Sequence, residues 1–251
     1  MSTLPNIVDE VNRLVGHAQQ ERLNLRLIGG LAVRMHSPNM EEIGLKRDYP
    51  DIDFVVHKND QRRLAPFFAQ MGYEPDQMFN ALNGARRQIY YDSASGRHID
   101  IFVGDFEMCH KLKMRDRLAF HPVTVPLAEL FLTKIQIVEM NKKDALDLLA
   151  LLLNNPLGHN DDGVINLDRI ARLTSKDWGW YTTTMMNLGR LEHILHSEDT
   201  RLTESQVQTI EQRIEMIRQT LKYARKGFRW QVRSRIGKRL RWYTEVEEVN
   251  R

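Results

Sequence analysis

Asp51 and Asp53 stand two residues apart in the stretch Asp51-Ile-Asp-Phe-Val-Val56. Alternation with Ile52 and Phe54 predicts a strand, so both carboxylates point to one face, roughly 6–7 Å apart along the chain. Two carboxylates on one sheet face repel each other and resist burial unless a cation lies between them. Hard oxygen donors of this kind suit Mg²⁺ or Mn²⁺ rather than zinc. Asp100, in His98-Ile-Asp-Ile-Phe-Val103, lies on the face opposite Ile99, Ile101 and Val103 and is a candidate third ligand. Three carboxylates on adjacent strands make a two-metal phosphoryl-transfer site, each ion steadying one of the exchanging oxygens. The plain alternative is a solvated sheet edge with Asp100 at the surface.

The elements that must position these groups are readable around them. Leu25-Arg-Leu-Ile28 alternates as a strand, Gly29-Gly30 forms a tight turn, and Leu31 to His36 is helical. Glycines at a helix start leave backbone N–H groups open to phosphates, with no Cβ in the way; a simple turn is the other reading. An amphipathic helix through Ile7, Val8, Val11, Leu14 and Val15 opens the chain. Ser37 to Lys46 reads as a loop, and Leu64 to Met71 as a helix with Pro66 in its first turn. Arg87 to Tyr91 and His98 to Val103 flank Asp92-Ser-Ala-Ser-Gly96 as a hairpin.

After Pro126 the pattern changes. Leu127 to Met140, Lys142 to Leu153 and Asp177 to His196 carry apolar residues at helical spacing. Thr203 and Gln206 form a capping box before a helix running through Phe228. The expected fold class is α+β: a mixed sheet with flanking helices over 1–125, then an all-helical domain over 126–251.

The set Leu27-Ile-Gly-Gly-Leu-Ala-Val33, Arg47-Asp-Tyr-Pro-Asp-Ile-Asp-Phe54 and His98-Ile-Asp-Ile-Phe102 resembles the polymerase-β-type nucleotidyltransferase superfamily. The branch it looks most like contains the abortive-infection toxins and their minimal relatives. Thr133-Lys134 and Lys142-Lys143-Asp144, with Asp147, look like that branch's later elements. The resemblance covers Leu25 to Leu153, with Ser37 to Lys46 as an insertion. It implies that Asp51, Asp53 and Asp100 hold Mg²⁺ or Mn²⁺, and that Asp100 helps deprotonate the acceptor. It also implies that Gly29, Gly30, Arg47, Lys134 and Lys143 contact the NTP and that Asp144 supports the site, and it leaves a cognate antitoxin open as a partner.

The net charge of +3 conceals an asymmetry. Ten Lys or Arg and no acidic residue lie between Arg218 and Tyr243, leaving the remainder of the chain net acidic. On one continuous helix, Arg218, Lys222, Arg225, Lys226, Arg229 and Arg233 fall within about 100° of arc. Such a stripe is either a solvated face or a track for RNA, including tRNA, with Trp230, Trp242 and Tyr243 near enough to stack on bases. The aromatic run Asp177-Trp-Gly-Trp-Tyr181 either lines an acceptor pocket or anchors packing.

Several classes are disfavoured. One Cys (Cys109) allows no internal disulfide, so a reducing compartment is expected. The longest apolar run, Leu148 to Leu153, is six residues, against the ~20 of a membrane helix. The histidines lack partners at zinc spacing, and His193 with His196 reads as a helical surface pair. With no signal pattern at Met1 to Glu10, a cytoplasmic protein is expected. The expected activity is transfer of NMP from an NTP to an acceptor hydroxyl on RNA, a small molecule or a protein. The alternative is a non-catalytic nucleic-acid-binding protein on the same fold.

Overall fold

The computed structural model describes residues 2–45, 49–196 and 200–245. The chain divides into two compact units. The first comprises Met1–Ala32, Asp48–Phe106 and Leu112–Pro126; the second comprises Val33–Arg47, Glu107–Lys111 and Leu127–Arg251. Two short segments from the first half of the chain therefore belong with the helical half.

In the first unit α1 (Ile7–Gln20) starts where the Asn6 side chain accepts the N–H groups of Val8 and Asp9, two donors with no partner in the helix itself. The sheet is built from β1 (Arg26–Ile28), β2 (Asp51–Val56), β3 (Glu74–Pro75), β4 (Arg87–Asp92) and β5 (Arg97–Val103). Its order is β1-β2-β5-β4-β3, and only the β2–β5 pair is parallel. The alternation read from the sequence sorts the faces. Ile52, Phe54, Ile99 and Ile101 are fully buried on one side, while Asp51 and Asp53 on the other are only partly covered. Phe68 from α3 (Leu64–Gln70) stacks on Tyr90 of β4 at 4.6 Å between ring centres. The same unit contains α4 (Gln77–Asn83), capped by Asp76 and lacking any buried residue.

The second unit is mostly helical, not all-helical as expected, because Leu157–Gly158 pairs in parallel with Ile165–Asn166. Helix α2 (Gly29–His36) begins at the glycine pair, in the first unit, and ends in the second. Then come α5 (Leu127–Ile135), α6 (Lys142–Asn154), α7 (Leu167–Thr174), α8 (Trp178–Leu195), α9 (Glu204–Tyr223) and α10 (Phe228–Ile236). The helix expected to run to Met140 stops at Ile135 because α8 takes over its last carbonyls. Asn187 Nδ2 donates to the oxygens of Ile135 and Ile137 at 2.7 and 2.8 Å, and Arg190 donates to that of Val138. The capping box at Thr203 and Gln206 forms as read.

The long C-terminal helix of the sequence reading is two helices. Ala224 leaves helical geometry at ψ 131°, and Gly227 caps α10 in an extended conformation. Lys226 Nζ donates to the carbonyl oxygens of Leu221 and Lys222, closing α9 with a cation where the helix dipole favours one. Phe228, placed on the apolar face by periodicity, is 79% exposed. Among the described residues no helix is long and apolar enough to cross a membrane.

Candidate carboxylate site

The parallel pairing of β2 with β5 sets Asp53 directly opposite Asp100 and Asp51 opposite His98. With the two-residue alternation of a strand, all three carboxylates share one face of the first unit. Their exposures differ. Asp100 is 2% exposed, whereas the Asp51 side chain is 35% exposed and lies 3.4 Å from His98 Nδ1. The Asp51 side chain is thus partly open to solvent.

Gly29 closes one side of this face. It follows Ile28, the β1 partner of Asp53, and adopts φ +71°. A Cβ at that position would lie 2.1 Å from Asp53 Oδ2. The glycine is thus required both by the left-handed backbone and by the carboxylate packed against it. Gly30 is buried in the first turn of α2.

Arg87 of β4 engages Asp100 at both oxygens, Nε donating to Oδ1 at 2.7 Å and Nη2 to Oδ2. Burial draws the guanidinium's pKa down, but the Asp100 hydrogen bonds and the charges of Asp100 and Asp53 outweigh it and hold Arg87 above its ordinary value. This residue was not singled out in the sequence. Its signal was the lone cation of a hairpin strand, one diagonal step from Asp100 in the register Ile89 to Asp100 and Arg87 to Phe102.

The three carboxylates on this face match the donor preference of Mg²⁺ or Mn²⁺, with His98 and Arg87 beside them. By donor chemistry Asp51 and Asp53 suit such an ion, and Asp100 joins them once the Arg87 fork opens. Among the described residues no three His, Cys, Asp or Glu side chains close on one point, and Asp100 is directed at Arg87 instead.

The other residues singled out from the sequence belong to the second unit or fall outside the described residues. Arg47 falls outside the described residues. In the second unit, Lys134 Nζ bridges Asp144 Oδ1 at 2.8 Å and Asp147 Oδ2 at 3.0 Å. Asp147 is fully buried, so the ammonium neutralises a carboxylate that water cannot reach. Lys143 is exposed.

The cationic stripe is not continuous. Arg218 pairs with Glu192 and Glu215, each at 2.7 Å. Lys226 caps α9, and Arg233 donates to the carbonyl oxygens of Gly237 and Leu240 while lying 4.6 Å from the ring centre of Trp178. Lys222, Arg225 and Arg229 remain exposed, on either side of the break at Ala224. Cys109 is buried, and burial pushes its thiol up, away from reactivity. In comparisons with known proteins, no family model and no curated protein matches the chain.

Proposed function

We propose that the chain is a metal-dependent nucleotidyltransferase, with a nucleotidyltransferase-type core in its first unit, moving NMP from an NTP to an acceptor hydroxyl. The observation that carries this reading is the register of Asp53 on Asp100 with Asp51 on the same face. Asp51 and Asp53 would hold Mg²⁺ or Mn²⁺, which supplies charge neutralisation at the exchanging oxygens. Asp100, released from Arg87, would accept the acceptor's hydroxyl proton. The freed Arg87 guanidinium is a donor fork suited to phosphate oxygens. Gly29 and Gly30 would present N–H groups at the start of α2.

A second reading is supported by the Arg87 fork itself. A carboxylate held at both oxygens by a guanidinium suits a protein that keeps the fold, binds nucleic acid and does not turn over NTP. Incubation of the purified chain with each labelled NTP, Mg²⁺ and total cellular RNA separates the two. Pyrophosphate release that Asp53→Asn abolishes supports transfer. Retained RNA binding without pyrophosphate release, for every NTP, supports the non-catalytic reading.

A further inference from the structure

A cavity of about 550 Å³ lies wholly within the second unit. That volume is in the range of roughly 300–1,000 Å³ typical of small-ligand pockets. Three of the chain's four tryptophans line it, Trp178, Trp230 and Trp242, together with Tyr243. All four rings are only partly covered. The two tryptophans from the C-terminal segment are held through their indole N–H groups. Trp230 Nε1 donates to the Thr174 carbonyl at 3.0 Å and Trp242 Nε1 to Thr183 Oγ1 at 3.1 Å. Gly179 lets this wall close: a Cβ there would meet the Trp242 carbonyl oxygen at 2.6 Å.

The same walls are cationic. Five Lys or Arg line the cavity against Glu107 and Asp177. Asp177 is engaged as the α8 cap, accepting from Gly179 and Trp180, and Glu107 lies 4.0 Å from Lys111. Lys176 and Arg229 are exposed and carry no ion pair among the described residues. Rings that stack and cations that stand unpaired beside them ask for one ligand with a flat π-system and a negative charge. A cationic ligand is repelled, and a purely acidic peptide leaves the indoles unused. Further exposed cations follow along the chain at Arg235, Lys238 and Arg239, more than one phosphate requires.

We infer that this pocket binds a nucleotide unit of single-stranded nucleic acid, stacking a base on the tryptophans and engaging phosphates with Lys176 and Arg229. The contact is independent of the carboxylate face and needs no NTP. It also differs from the helical track read from the sequence, because the organising feature is an aromatic pocket and not a stripe.

The test titrates the full chain with a fluorescein-labelled 12-nucleotide RNA in EDTA, reading anisotropy and the quenching of tryptophan emission. Trp178→Ala is expected to weaken binding roughly ten-fold or more, the range of one lost base–aromatic stack. Lys176→Gln with Arg229→Gln changes only exposed side chains, so it decides the matter even where Trp178→Ala fails to fold. Its slope of log K against log [salt] is expected to be shallower by about 1.4, from ~0.7 per single-strand phosphate. Wild-type affinity and slope in the double variant, or equal binding of a perfect duplex, would overturn the inference. So would competition by AMP at the concentrations at which the 12-mer competes, since the ligand would then be a free nucleotide.

Discussion

Arg87 holds both oxygens of Asp100 across the β4–β5 ladder, and Asp100 in turn faces Asp53 across the β5–β2 ladder. A carboxylate exposed by only 2% next to a second carboxylate needs a positive charge, and Arg87 supplies it. Arg87→Met is expected to lower stability by about 2–3 kcal/mol, less than the ~3–5 of a fully buried pair, because the guanidinium is a quarter exposed. Urea unfolding measures this. If the carboxylates hold a divalent ion, Mg²⁺ or Mn²⁺ then raises the variant's melting temperature more than the wild type's. Equal shifts in both proteins would count against cation binding at this face.

Gly29 gives a second expectation, from geometry alone. A non-glycine residue in the left-handed region costs about 1–2 kcal/mol, and the Cβ would also meet Asp53 Oδ2 at 2.1 Å. Gly29→Ala is therefore destabilising by more than the backbone cost. Gly29→Ala combined with Asp53→Gly removes the collision, and the double variant recovers part of the loss as a favourable coupling. Gly16 is the control. It lies inside α1 with nothing within 4 Å of its would-be Cβ, so Gly16→Ala stabilises by up to about 1 kcal/mol. Additive losses at Gly29 and Asp53 would refute the packing argument.

Local chemistry made much of this site legible. Asp51 to Val56 reads as a strand from alternation alone, and the structure gives those bounds. The hairpin around Asp92 to Gly96 is equally local, because turn residues separate two apolar runs. Arg87 was not legible because its partner is set by hairpin register. Helix α4 buries nothing, with Met78 and Leu82 exposed at 78% and 80%, so burial periodicity carried no signal there. The end of α5 is decided by Asn187 and Arg190, about fifty residues downstream. Gly227 was visible, yet Phe228 at an apolar position carried the helical pattern past it.

Lys134 carries a stability prediction. Its ammonium lies 3.0 Å from Asp147, whose side chain is fully buried, and 2.8 Å from Asp144. Lys134→Met leaves a buried carboxylate without its cation and is expected to cost about 3 kcal/mol. Lys134→Met with Asp147→Leu replaces the pair by apolar groups and recovers most of that loss. Chemical denaturation of the single and double variants decides it. A single variant as stable as the wild type would show that Asp147 is neutralised by another group.

His110 carries a pH prediction for the second unit. Burial holds its imidazole down at about 4, against a smaller upward pull from Asp177. Its Nε2 lies 2.8 Å from Thr183 Oγ1, and its ring stands 5.0 Å from that of Trp180. The neutral form is thus the one the fold accepts, while the unfolded chain titrates at about 6.5. A depressed folded pKa contributes stability that is present in full above about 6.5 and is lost as pH falls towards 4. The loss across that window is on the order of 2–3 kcal/mol. His110→Gln keeps a hydrogen-bonding group beside Thr183 and does not titrate. Urea midpoints for wild type and variant at pH 7.5 and 4.5 test the argument, with the wild type expected to fall further between the two. The same fall in both proteins would place the acid sensitivity in another group.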